Sequence, residues 1–171
     1  MPGSVKTLPS VVFGTYLIVP ERSENVKELA AVMPKELGSP FQDTEIVQIY
    51  EKDGSYVKHV HFNKAAMEKW KDENKGIVSS YAFKFDLDVE TLQTRAPGKT
   101  AKYIFTFIER NGKPVLHQET TRSELTEIVK VDLIFDELGM ASEYEFGEMT
   151  ARRYFRRVHP ETDKEVASLL Q

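Results

Sequence analysis

The chain has 171 residues, enough for one domain with a substantial core and marginal for two. Its 23 basic and 27 acidic residues leave a net charge of -4, which provides no electrostatic footprint for nucleic acid, and 40% hydrophobic residues suit a folded chain rather than a disordered one. With no cysteine there is no disulfide framework and no thiolate chemistry, and no apolar run approaches the roughly 20 residues of a membrane-spanning helix. The opening stretch MPGSVKTLPS lacks a basic n-region and an apolar h-region, so no signal peptide is expected in it.

Residues 1–9 read as a flexible N-terminus, followed by a strand over SVVFGTYLIV (10–19) with a glycine marking a bend. A helix is predicted within ERSENVKELAAVMPKELG (21–38): Ser23 is a candidate N-cap, and Val26, Leu29, Ala30 and Met33 recur at helical spacing. Pro34 ends that run and a further short turn closes at Gly38. Strand signals then dominate. DTEIVQIYE (43–51) and SYVKHVHF (55–62) flank KDG, a hairpin turn. GIVSSYAFKFD (76–86), VETLQTR (89–95), TAKYIFTFIE (100–109), PVLHQETTR (114–122), LTEIVKVDLIF (125–135), MASEYEF (140–146) and GEMTARRYFRRV (147–158) complete ten strands. NKAAMEKWKDENK (63–75) interrupts the meander as a charged excursion, and 159–171 forms a tail with weak helical character.

Ten strands joined in sequence order favour an all-β fold, an antiparallel up-and-down barrel that closes and so removes its edges. The predicted organisation is a single barrel domain over 10–158 with lid helices at 21–38 between strands one and two. Side chains alternate across a strand. Tyr81, Phe83 and Phe85 therefore share a face, as do Tyr103, Phe105 and Phe107. These stripes either line a cavity or fill a small core. In the final strand Met149, Ala151, Arg153 and Phe155 share the more apolar face, which sets a guanidinium where a lone charge is very unfavourable. Arg152, Tyr154 and Arg156 point the other way and, with Arg157, form an outward basic cluster. That cluster reads either as a contact for anionic headgroups or as a solvated, charged strand face.

His59 and His61 share a strand face but offer two ligands where a metal site needs three or four, so no metal or other cofactor is expected. No cysteine nucleophile, G-x-S-x-G elbow or GK[ST] loop is present, and an enzyme is not expected.

The N-terminal GT strand, the helix-turn-helix after it and the meander ending in an arginine-bearing strand resemble the intracellular lipid-binding (fatty-acid-binding-protein-like, calycin) family over 10–158. Within it, ERSENVKELAAVMPKELG, YEKDGSYVKHV and above all GEMTARRYFRR resemble the secretory abundant heat-soluble proteins of tardigrades. The longer 63–75 excursion and the tail depart from that pattern. The resemblance implies a ten-stranded barrel with a two-helix lid, and a fatty acid or similar amphipathic anion held inside it. It places Arg153 where the family's last strand carries the arginine of an Arg-x-Tyr pair that holds a lipid carboxylate, with Phe155 in the tyrosine's place. Tyr81, Phe83, Phe85, Tyr103, Phe105 and Phe107 would then line the ligand. The competing reading pairs Arg153 with an internal acid such as Glu119. The tardigrade likeness makes the favoured expectation a heat-soluble protein that protects client proteins or membranes during drying, with a lipid carrier holding its ligand through Arg153 as the alternative. It also implies secretion, against a cytoplasmic alternative.

Overall fold

The computed structural model describes residues 7–32, 45–62, 81–96, 99–123, 125 and 127–170. The short lid turn expected at 34–38, the 63–75 excursion and Met33 lie outside them. Ten strands run as β1 (Gly14–Ile18), β2 (Glu45–Lys52), β3 (Ser55–Phe62), β4 (Tyr81–Phe85), β5 (Thr91–Ala96), β6 (Lys99–Arg110), β7 (Lys113–Arg122), β8 (Val129–Phe135), β9 (Gly139–Phe146) and β10 (Met149–Val158). They form one antiparallel sheet in the order β4-β3-β2-β1-β10-β9-β8-β7-β6-β5, with β1 seated between β2 and β10. This is the up-and-down, nearly closed barrel expected from the sequence.

Two-residue turns set the register of its hairpins. Asp53 and Gly54 have φ of 53° and 81°, and Asn111 and Gly112 have φ of 54° and 77°. Left-handed backbone at both central positions matches the strand twist, which is why Asp-Gly and Asn-Gly occur there. β4 and β5 stand at opposite ends of the sheet order. A ring contact and a backbone hydrogen bond help close the wall between them: Phe85 of β4 stacks on Phe105 of β6 at 3.9 Å, and the Asp88 backbone amide donates to the Phe105 carbonyl at 2.8 Å.

Two local features differ from the strand and helix boundaries read from the sequence. Residues Ser10–Val12 are a 3-10 turn rather than the start of β1. The Tyr16 hydroxyl donates to the Val12 carbonyl at 2.7 Å and Arg157 donates to the Val11 and Phe13 carbonyls, which tucks Val12 into the core at 0% exposure. Leu8, just before it, is also buried. Helix α1 (Val26–Val32) starts three residues after Ser23. Glu24 exchanges two backbone hydrogen bonds with Arg152 of β10, so its backbone belongs to the sheet and the helix forms beyond it. Asn25 donates from Nδ2 to the Thr150 carbonyl at 2.9 Å, tying the helix start to β10, and Leu29 is the buried anchor of α1.

In the tail, helix α2 (Lys164–Leu169) is capped by Asp163, which accepts from the Val166 amide at 3.1 Å. Val166 packs with Ile46, Val158, Leu17 and Leu170 as a small apolar cluster separate from the main core. Gly139 marks a close approach of β9 to β10: a Cβ there would meet the Phe155 carbonyl oxygen at 2.1 Å. Gly139→Ala is therefore expected to destabilise by about 1–3 kcal/mol or more through forced separation of β9 and β10, read by thermal unfolding. An unchanged melting temperature would contradict that close approach.

Candidate ligand site

Strand alternation places three charged side chains inside the barrel. On β10, Ala151, Arg153 and Phe155 are buried while Thr150, Arg152 and Arg156 are exposed, as the sequence pattern required. On β2, Glu45 shares its face with Val47 and Ile49, and on β3, Lys58 pairs across the ladder with Ile49 on one side and Phe83 on the other. Arg153 is 2% exposed, Glu45 6% and Lys58 9%.

Arg153 Nη1 lies 2.7 Å from Glu45 Oε2. Tyr144, from the neighbouring β9, accepts a hydrogen bond from the guanidinium and contacts Ser142. Burial works against the arginine's charge, but Glu45 and Tyr144 outweigh it and hold Arg153 protonated. Burial pushes the Tyr144 phenol up, so it stays neutral. Lys58 Nζ donates to Gln118 Oε1 at 2.9 Å, and Gln118 Nε2 donates in turn to Thr120 Oγ1 at 3.0 Å. The Lys58 ammonium is pushed down to about 8, chiefly by burial, with Arg153 adding to the shift and Glu45 opposing it. Two buried cations thus share one carboxylate among the described residues. The arrangement can pair with an anion that enters the barrel.

The aromatic stripes lie beside this polar group. Phe83, Phe85, Tyr103 and Phe105 are all buried in one cluster, with Phe107 packed against it. Phe83 meets Tyr103 edge-on at 5.4 Å, and the Tyr103 hydroxyl donates to the Lys84 carbonyl at 2.9 Å. Lys58 Nζ sits 5.5 Å from the Phe83 ring centre, linking the polar and aromatic halves. Phe155 is 1% exposed with the Arg153 guanidinium 5.1 Å from its ring centre. The Tyr81 side chain lies outside the described residues.

The sequence matches no protein-family model and no curated protein. Solved structures do match. A secretory abundant heat soluble (SAHS) protein from Ramazzottius varieornatus superposes with a TM-score of 0.64 at 18% identity, over 91% of this chain and 100% of that one. The Schistosoma mansoni fatty acid binding protein in complex with arachidonic acid follows at 0.58 and 15%, over 88% and 98% of the two chains. Fatty-acid-binding protein 1 of Echinococcus granulosus gives 0.59 at 13% identity, over 88% and 100%. The fold is that of the fatty-acid-binding proteins.

Set in this fatty-acid-binding-protein barrel, several expectations change. The acid beside Arg153 is Glu45 rather than Glu119, which is partly exposed and lies 3.5 Å from His117. A phenol does stand beside the arginine, although position 155 is phenylalanine: it comes from Tyr144 on the next strand. Arg157 does not belong to the outward basic cluster. Its guanidinium donates to three backbone carbonyls, of Val11, Phe13 and Asp136, and lies over the Tyr16 ring. Tyr154 is likewise engaged, with Arg22 stacked 3.6 Å from its ring centre.

Glu45 and Lys58 carry in the sequence the same signal that marks Arg153, a charged residue on the apolar face of a strand. His59 and His61 stack at 3.9 Å, and burial, then His59, pushes His61 down to about 4. A separate groove of about 680 Å³ opens on the barrel's outer face, lined by His117, Lys130, Asp132, Glu143 and Arg152 among others. Two of its acids are engaged from within the protein: Asp132 binds His117 at 2.5 Å and Arg110 at 2.7 Å, and Glu143 lies 3.6 Å from Arg110.

Proposed function

We propose that this protein is a binding protein that takes up a fatty acid or similar amphipathic anion inside its barrel. One observation carries the reading: among the described residues Arg153, Lys58 and a single carboxylate, Glu45, are buried together beside an aromatic wall. A soluble barrel with no ligand would gain stability from replacing such a group with apolar side chains, since buried ion pairs are often neutral or unfavourable for folding. An anionic head with an apolar tail suits both halves of the interior. In the form the family resemblance suggests, Arg153 anchors the carboxylate and Phe155, Tyr103, Phe105, Phe107, Tyr81, Phe83 and Phe85 line the chain of the ligand.

Mild delipidation followed by native mass spectrometry and titration with a fluorescent fatty acid tests this. Saturable binding of about one ligand per chain, displaced by unlabelled fatty acid, is the expected result. Binding that never saturates would remove the ligand-carrying role.

A second reading is favoured by the superposition on a heat-soluble protein along 91% of this chain. In it the barrel stays soluble through drying or heating and shields other macromolecules, and ligand binding is the activity retained within that role. The 29% charged residues and absence of cysteine suit a protein that must stay dispersed when concentrated. Drying a client enzyme with and without this protein checks the protective role directly. Equal loss of client activity in both would discard it.

A further inference from the structure

We propose that Lys58, not Arg153, is the cation that receives the anionic head of a long-chain carboxylate. The inference rests on the ligand-binding reading and specifies the contact within it. Arg153 is already committed: Glu45 lies 2.7 Å from its guanidinium and Tyr144 accepts from it. Turning Arg153 toward a ligand would strand the Glu45 carboxylate, which is 6% exposed, and an uncompensated buried charge is strongly unfavourable.

Lys58 differs in each respect. An ammonium has three donors. Among the described residues Lys58 spends one of them on a neutral amide, Gln118 Oε1 at 2.9 Å, and forms no ion pair. The charged groups that influence it are Glu45 from β2 and Arg153 from β10, while β7 presents Gln118 and β4 presents the Phe83 ring. Since Glu45 is held by Arg153, the surplus positive charge resides on Lys58.

Position favours it as well. Lys58 pairs in register with Phe83, whose ring meets Tyr103 and Phe105. A carboxylate on Nζ would let its alkyl chain leave along that aromatic wall. The ammonium, pushed down to about 8 by burial, regains its charge preference when a carboxylate arrives, so binding takes up protons at mildly alkaline pH.

The test compares cis-parinaric acid with the corresponding alcohol on wild type, Lys58→Met, Lys58→Arg and Arg153→Met. Loss of one charge-assisted contact predicts about a tenfold weaker acid affinity in Lys58→Met, with alcohol affinity unchanged and acid affinity largely kept in Lys58→Arg. Because Lys58 is protonated below its folded value, wild-type affinity for the acid should fall as pH rises through about 8 and beyond, while Lys58→Arg stays flat. That pH profile needs no variant with a neutral side chain to fold.

Full acid affinity in Lys58→Met with loss in Arg153→Met would overturn the assignment and leave ligand binding standing. A pH-independent wild type with an unaffected Lys58→Met would do the same. Failure of wild type to bind either probe would overturn both the binding reading and the anchor.

Discussion

Glu45→Gln is expected to lower the stability of the ligand-free protein by about 3–5 kcal/mol, the range for breaking a buried ion pair by removing one partner. The amide keeps the shape of the side chain but removes the negative charge that lies 2.7 Å from Arg153 and also supports the charge on Lys58. Two cations then remain in one buried group. Arg153→Met takes away the partner in direct contact with Glu45 and should also destabilise, though by less, because the Lys58 charge partly offsets the carboxylate that is left. The Glu45→Gln deficit should also shrink with rising pH. Without Glu45, Lys58 gives up its proton more readily, and the repulsion with Arg153 vanishes when it does. Urea unfolding of the two variants at about pH 7 and about pH 9 gives the comparison. A loss below about 1 kcal/mol for Glu45→Gln would mean that the pair is worth no more than an exposed one.

The barrel was legible in the sequence because its physics is local. Asp53-Gly54 and Asn111-Gly112 fix two hairpins, and the alternation of Phe105 and Phe107 or Arg153 and Phe155 fixes which face is inside. Turn chemistry and period two act within a few residues, so a reader of the sequence has all that the chain uses. Arg153 was found the same way. Its partner was not, because Glu45 and Arg153 are separated by more than a hundred residues and meet across β1, which lies between β2 and β10. Glu119 is an internal acid the sequence suggests for it, but its side chain sits on the same face of β7 as His117, opposite to Gln118.

Arg157 shows a different limit. Its neighbours Arg152 and Arg156 are exposed, and nothing in RRYFRR says that the last arginine is drawn in by the carbonyls of a 3-10 turn at the other end of the chain. Contacts of that kind depend on where a turn presents unpaired carbonyls. They become visible only once the chain is closed. The start of α1 belongs to the same class: Ser23 looked like a cap, and a two-bond bridge from Glu24 to Arg152 moved the helix beyond it.

Lys58→Met is expected to stabilise the ligand-free protein near neutral pH while weakening its hold on a carboxylate. The folded chain lowers Lys58 from 10.5 to about 8, so between those values the unfolded chain carries more protons and wild-type stability rises with pH. Below about 8 the full penalty of a buried ammonium is present, on the order of 3 kcal/mol at about 1.4 kcal/mol for each tenfold loss of proton affinity. Methionine fills the same space without the charge, and loses one hydrogen bond to Gln118 that contributes about 1 kcal/mol. The net gain at about pH 7 is then on the order of 2 kcal/mol, and it should fade toward zero or reverse by about pH 10. Unfolding free energies of both proteins across that range decide the matter. A variant less stable than wild type at neutral pH would show that Lys58 is held for the fold. A variant more stable there, with the gain fading as pH rises, would mean that the lysine is kept despite its effect on folding, as a residue that serves a ligand is.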